Sequence, residues 1–174
     1  MHLETERIIL RDFNIHDLKD FHEIFSDPEV MKYAEPPYDL KKSKKFLKEF
    51  CIKRNPKGGY AVEQIETGKV IGYVLFCPVD EPEVYEIGWI FNKNYWRKGY
   101  AYEICSRLIK YGFEAMELHK IYANAIDTDK SVSLMKKLQM QFEGIQKKHT
   151  KNNEGRWCDL HSYAILGEDY FLVK

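Results

Sequence analysis

The segment Glu86 to Ala101, EIGWIFNKNYWRKGYA, holds the residues best suited to chemistry. An apolar strand pattern leads into a loop, and the loop opens a long helical pattern. Arg97, Lys98 and Gly99 stand immediately before that helix. A helix N-terminus carries amides without intrahelical partners and a positive partial charge, which together bind phosphate. Gly99 allows a ligand close to the backbone, and Arg97 and Lys98 add charge. One reading of these residues is a pyrophosphate cradle. The other is an ordinary strand-to-helix turn, because a single glycine specifies little. The loop lacks a Gly-x-x-x-x-Gly-Lys-Ser/Thr pattern, which disfavours a nucleotide-triphosphate site. Neither a Ser-His-Asp set nor metal-ligand spacing presents itself. Cys51, Cys77, Cys105 and Cys158 are scattered and read as reduced thiols of a cytoplasmic protein.

The elements that must position this segment follow from periodicity. Arg7 to Phe13 reads as a strand centred on Ile8, Ile9 and Leu10. Asn14 offers an N-cap with Asp17 in the first turn, and Leu18, Phe21, Ile24 and Phe25 follow at helical spacing. Pro28 interrupts, a Glu29-Val30-Met31 turn follows, and Pro36-Pro37 breaks the chain again. Asp39 caps a second helix with Leu40, Leu47, Phe50 and Cys51 along one side. Tyr60 to Ile65 and Val70 to Phe76 flank the hairpin signal Glu66-Thr67-Gly68-Lys69. Val84 to Phe91 is a third strand. It carries Tyr85, Ile87 and Trp89 on one face and Glu86, Gly88 and Ile90 on the other. From Ala101 to Met116 the apolar residues fall on one helical stripe that includes Cys105, Leu108, Ile109 and Phe113. Ile121 to Ile126 is a strand, Asp127 to Lys130 a polar turn, and Ser131 to Leu138 a short helix. Strands near Phe142 to Lys148 and Trp157 to Leu166 surround the turn Asn152 to Gly155. This order predicts a mixed α/β sheet with helices on both faces.

Composition narrows the class. The 174 residues favour one domain, taken as 1–174. Charges balance at 27 Lys+Arg against 27 Asp+Glu, which argues against a nucleic-acid binder. The lysines of Lys41 to Lys48 read as a solvated helix face. The start MHLETERIIL has no signal-peptide form, and no apolar run is long enough to span a bilayer. The expectation is a cytoplasmic globular protein with no membrane partner.

The run from Glu86 to Gly144, together with ETERIILRDF and GRWCDLHSYAIL near the two ends, resembles the GNAT acetyltransferases. Within them it is most similar to the branch of ribosomal-protein (Rim type) and spermidine N-acetyltransferases. The resemblance covers nearly the whole chain. It implies an α/β GNAT fold with a mostly antiparallel sheet, and an N-acetyltransferase that takes acetyl-CoA and needs no metal. In the family's Gln/Arg-x-x-Gly-x-Gly/Ala loop, Trp96 holds the first place, with Gly99 and Ala101 at the small-residue places. The resemblance implies that amides of Arg97, Lys98, Gly99, Tyr100 and Ala101 cradle the CoA pyrophosphate. It also implies that the strand end near Ile90 and Phe91 bonds the pantetheine arm. Thr128 and Ser131 stand where the family has Asn-x-x-Ser, and the resemblance implies that both bind the cofactor, Thr128 in the place of the Asn. Leu138-Gln139-Met140 replaces Leu-Gly-Phe, which puts Gln139 at a left-handed helix end with modest strain. Met135 occupies the place of the spermidine enzymes' proposed acid, a tyrosine. That role is vacant or passes to Ser131 or Tyr122.

Acetyl transfer to an amine needs a proton acceptor, stabilisation of the thioester oxygen and a leaving thiolate. Glu86 is the best base, through a water because two residues along a strand span roughly 7 Å. The alternative is a sheet glutamate that faces solvent or pairs with a lysine. His119 reads as a surface loop residue and Cys105 as a buried thiol rather than a nucleophile. Trp89, Trp96 and Trp157 read as packing residues. The acceptor is a primary amine: a protein N-terminus, a polyamine or a small molecule. The residues that choose it are expected on the first two helices and in the loops after Pro36 and Asn152. As in many relatives, the late strands could pair two subunits into a homodimer. The departures at Thr128, Met135 and Gln139 leave open a second reading, a catalytically weak module that senses acetyl-CoA or another ligand.

Overall fold

The computed structural model describes residues 1–172. Eight strands form one sheet: β1 His2–Glu4, β2 Ile8–Arg11, β3 Tyr60–Gln64, β4 Val70–Val79, β5 Glu81–Phe91, β6 Lys120–Ala125, β7 Gln141–Lys151 and β8 Trp157–Leu166. The spatial order is β1-β2-β3-β4-β5-β6-β8-β7. All neighbours are antiparallel except β5 and β6, which run parallel. The helices are α1 Leu18–Phe25, α2 Leu40–Phe46, α3 Tyr100–Glu114, α4 Lys130–Lys137 and α5 Gly167–Leu172. A π-helical stretch, Leu47–Lys53, continues α2. Among the described residues no helix is long and apolar enough to cross a membrane.

Alternation along the strands sends side chains into two separate cores. Ile8, Leu10, Val62, Val74, Phe76 and Ile87 pack on one face against Ile104, Cys105, Leu108 and Phe113 of α3 and against Val132 and Met135 of α4. Ala61, Val70 and Tyr73 pack on the other face against Phe21, Ile24 and Phe25 of α1 and Leu47 after α2. The sheet therefore lies between two helical layers, as the sequence pattern predicted.

The caps read from the sequence are present. The Asn14 side chain accepts from the His16 amide, and Asp17 accepts from the Asn14 amide, closing a capping box ahead of α1. Asp39 Oδ1 accepts from the Lys42 amide at 2.7 Å. Several expectations need correction. Leu40 is 56% exposed rather than part of the α2 stripe, because it is the first helical residue and turns away from the sheet. β4 runs on past Phe76 through Pro78, where the register with β5 shifts. A bulge tolerates a residue without an amide donor. Strand β1 and helix α5 lie beyond any element the sequence indicated. Trp157 is 56% exposed on β8 and is not a packing residue.

Gln139 has φ of 64°, the left-handed end of α4 that its position implied. Its amide donates to Lys136 O and the Met140 amide to Met135 O. A side chain there costs about 1 kcal/mol, which glycine would not incur. Gln139→Gly is therefore expected to stabilise the protein by about 1 kcal/mol, read as a higher urea midpoint at unchanged slope. A lower midpoint would show that the Gln139 side chain earns more by contact than it loses by strain.

Candidate active site

The site forms where the sheet comes apart. The parallel ladder between β5 and β6 pairs only Val84, Tyr85 and Glu86 with Lys120, Ile121 and Tyr122. Beyond it, β5 stays paired with β4 as far as Phe91, and β6 stays paired with β8 as far as Ala125. A notch thus opens between Ile87–Phe91 and Ala123–Ala125, with Glu86 and Tyr122 at its closed end. In open α/β sheets ligands enter at the carboxyl ends of parallel strands, where the connecting helices begin. Helix α3 begins at that end of β5, and α4 at that end of β6.

Main-chain phase decides which groups face the notch. The Asn92 amide donates to Ile71 O at 2.9 Å, in register with the β4–β5 ladder. Glu86, Gly88 and Ile90 therefore turn their main chains towards β4, and Ile87, Trp89 and Phe91 turn theirs towards the notch. Ile90 pairs with Tyr73, so it is poorly placed to bond a ligand through its main chain. Phe91 faces correctly, but its carbonyl already accepts from Trp96 Nε1 at 2.8 Å. Trp96 is thus more than packing: it ties the loop to the strand end. Lys130 Nζ lies 4.1 Å from the centre of its ring, bringing the start of α4 against the same loop.

The loop itself matches an anion cradle. Gly99 is the N-cap of α3 with φ of 86°, and no side chain caps the helix. Arg97 also has positive φ, 60°, which is uncommon for a residue with a side chain. Glu103 provides the first amide bonded within the helix, to Gly99 O. The amides of Tyr100, Ala101 and Tyr102 are left pointing out of the helix end. Arg97 and Lys98 are exposed, and Lys98 Nζ lies 5.2 Å from the Tyr95 ring centre. The local chain therefore suits a diphosphate in charge and in backbone shape.

Glu86, Tyr122, Asn124 and Ser162 share the sheet face opposite α3. Ser162 Oγ donates to Asn124 Oδ1 at 2.6 Å, and Asn124 Nδ2 lies 3.5 Å from Glu86 Oε1. Burial pushes the Glu86 carboxyl above its ordinary value, and the Asn124 contact offsets this only in part. Among the described residues no cation pairs with Glu86. Burial, and then the nearby Glu86, Asp80 and Cys77, push the Tyr122 phenol up to about 12. Tyr122 therefore keeps its proton at neutral pH, which makes it a hydrogen-bond donor and a weaker acid than an ordinary phenol.

The remaining candidates separate clearly. Met135 is 1% exposed within the α3–α4 core and replaces no acid. Cys105 is fully buried and its thiol is pushed well above its ordinary value by burial, so it is inert. His119 precedes β6 and bonds Glu83 O through its amide, at the far end of the strand from the notch. Thr128 lies in the turn before α4 and Ser131 in its first turn. Both flank Lys130, which lies over Trp96 of the loop, and neither is paired with Glu86 in the ladder. Asn124 and Ser162 escaped the sequence reading. The alternation of β6 places Asn124 on the Tyr122 face, which was the available signal. Ser162 had none, because its partner is set by the β6–β8 register.

A sheet parted between two parallel strands, with an uncapped helix end at its mouth, is a ligand site of the open α/β class. The Acetyltransferase (GNAT) domain family model matches residues 7–141. The chain belongs to the GNAT acetyltransferase family and is an N-acetyltransferase. It is 36% identical over 173 residues to a Bacillus subtilis protein named Uncharacterized N-acetyltransferase YnaD, covering 98% of this chain and 99% of that one. It is 26% identical over 169 residues to the Spermidine N(1)-acetyltransferase of Vibrio cholerae, covering 95% and 96%. The crystal structure of a GNAT-family acetyltransferase from Bacillus anthracis superposes with a TM-score of 0.87 at 33% identity, covering 97% of this chain and 99% of that one.

Proposed function

We propose that the protein moves an acetyl group from acetyl-CoA to a primary amine by direct attack while both are bound. The observation that carries this reading is Glu86. It is a partly buried carboxylate at the closed end of the notch, bonded among the described residues only to an uncharged amide. Acetyl-CoA supplies the activated carbonyl and the thiolate leaving group. The amides of Arg97 to Ala101 bind the diphosphate at the head of α3. The Ile87 carbonyl and the main-chain groups of Trp89, rather than Ile90, bond the pantetheine arm along the edge of β5. Thr128 and Ser131 line the opposite wall from the start of α4. Glu86 draws the cationic amine and takes its proton through a bridging water. Tyr122, protonated and beside Glu86 in the ladder, can hydrogen-bond the departing sulfur, and Ser131 is the alternative donor.

The Vibrio cholerae relative is named for spermidine, so polyamines head the acceptor classes, followed by protein N-termini and small-molecule amines. The test is CoA release from acetyl-CoA across a panel of polyamines, peptides with free N-termini and aminoglycosides. Turnover on at least one class is expected. Acetyl-CoA binding without turnover on any amine would overturn the reading. In the same assay Gly99→Val is expected to raise KM for acetyl-CoA at least ~10-fold. At φ of 86° a β-branched side chain is strained, and its methyls would crowd the diphosphate path. Wild-type affinity in that variant would remove the cradle assignment.

A further inference from the structure

The head of α3 carries a carboxylate that works against the ligand assigned to it. Glu103 lies in the first turn, close to the amides that a diphosphate would use. An acidic residue there stabilises the helix but competes with an anionic ligand for the same positive field. Glu103 is surrounded by donors from the turn between β1 and β2. Arg7 Nε and Nη2 donate to its Oε2 at 2.8 and 2.6 Å. The Arg7 amide and Thr5 Oγ1 donate to its Oε1 at 3.1 and 2.7 Å. Burial pushes the Glu103 carboxyl up, yet the Thr5 and Arg7 bonds outweigh this and hold it below its ordinary value. Glu103 is therefore ionised at neutral pH and would repel a diphosphate if it stood alone.

The same guanidinium also shapes the loop. Arg7 Nη1 donates to Lys98 O at 3.0 Å, and its Cζ lies 4.4 Å from the Tyr100 ring centre. Lys98 sits between the two left-handed residues, Arg97 and Gly99. A Cβ on Gly99 would stand 3.4 Å from Arg7 Nη2, so the guanidinium lies against the loop itself.

We propose that Arg7 is a positioning residue that neutralises Glu103 and thereby reserves the α3 N-terminus for the acetyl-CoA diphosphate. The inference rests on the cofactor reading above. It adds that one arginine outside the loop sets the charge the loop presents.

Calorimetric titration of acetyl-CoA into wild type, Arg7→Met, Glu103→Gln and the double variant tests it, with melting curves to confirm folding. Arg7→Met is expected to weaken binding about 10-fold, the scale of one uncompensated, partly screened charge. Glu103→Gln is expected to tighten binding, since it leaves the Arg7 charge free. The double variant is expected to recover most of the Arg7→Met loss. Double-variant binding as weak as that of Arg7→Met would overturn the proposal, because arginine would then serve loop shape alone. If Arg7→Met does not fold, Glu103→Gln decides by itself, and unchanged or weaker binding overturns the proposal. Wild type that binds no acetyl-CoA removes the cofactor reading as well. Wild type that binds, with Arg7→Met equal to it, removes only this inference.

Discussion

Replacing Glu86 by glutamine is expected to lower kcat/KM by ~10²–10⁴-fold while leaving acetyl-CoA binding intact. Glutamine keeps the size of the side chain and can still meet Asn124, so the notch keeps its shape. What it loses is a proton acceptor and a negative charge for the incoming ammonium. The loss should shrink at high pH, where more of the amine is already neutral. Steady-state kinetics between pH 6.5 and 9.5 on a confirmed acceptor would measure it. An unchanged rate across that range removes Glu86 from the mechanism, and a change in amine KM alone makes it a binding charge. The same substitution has a stability signature with a definite sign. The folded carboxyl has a raised value because burial disfavours its charge. Its contribution to folding is therefore fully present below the unfolded value and is lost as pH rises through the folded one. Glu86→Gln should raise the melting temperature at pH 7 and leave it nearly unchanged at pH 4.

Leu108→Asp should abolish cooperative folding or lower stability by more than ~4 kcal/mol. Leu108 is 0% exposed in the core between α3 and the sheet. Removing its side chain alone would cost ~2–5 kcal/mol through the cavity. An unpaired carboxylate in the same place adds desolvation. Domains of this kind hold only ~5–15 kcal/mol in total, so the change takes a large share. Far-UV circular dichroism with urea titration would read it. A soluble variant with the wild-type midpoint would contradict the packing of α3.

The sequence made some of this legible and hid the rest for physical reasons. Helix α3 declared itself because its apolar residues repeat at helical spacing, and Leu108 followed from that. The face shared by Glu86, Gly88 and Ile90 followed from alternation, which is a local property of a strand. The hydrogen-bond phase of β5 was not local. It depends on how β4 is registered, and this is why Ile90 was expected to meet the ligand where Ile87 and Trp89 face the notch. The Glu86 environment depends on Asn124 and Ser162, each contact spanning 38 residues. The Arg7–Glu103 pair spans 96 residues. Resemblance located the loop, but it could not show that an arginine in the β1–β2 turn reaches the loop's main chain at Lys98. Trp157 was expected to pack because tryptophan usually does, and only the placement of β8 shows its exposure.

The short β5–β6 ladder has a further consequence for how the molecule holds together. Three residue pairs join the β1–β5 ladder to the β6–β8–β7 ladder, so the backbone network is nearly divided at Glu86 and Tyr122. The layer of α3 and α4 bridges the halves, whereas α1 and α2 pack on the first half, and the facing edges beyond that hinge contribute no cross-links to each other. A pantetheine chain lying along β5 would act as a short surrogate strand and supply hydrogen bonds that the polypeptide omits. Ligand binding would then be in part the completion of folding. The amide of Trp89 would be among the fast-exchanging positions of the sheet in free protein and among those most slowed by acetyl-CoA.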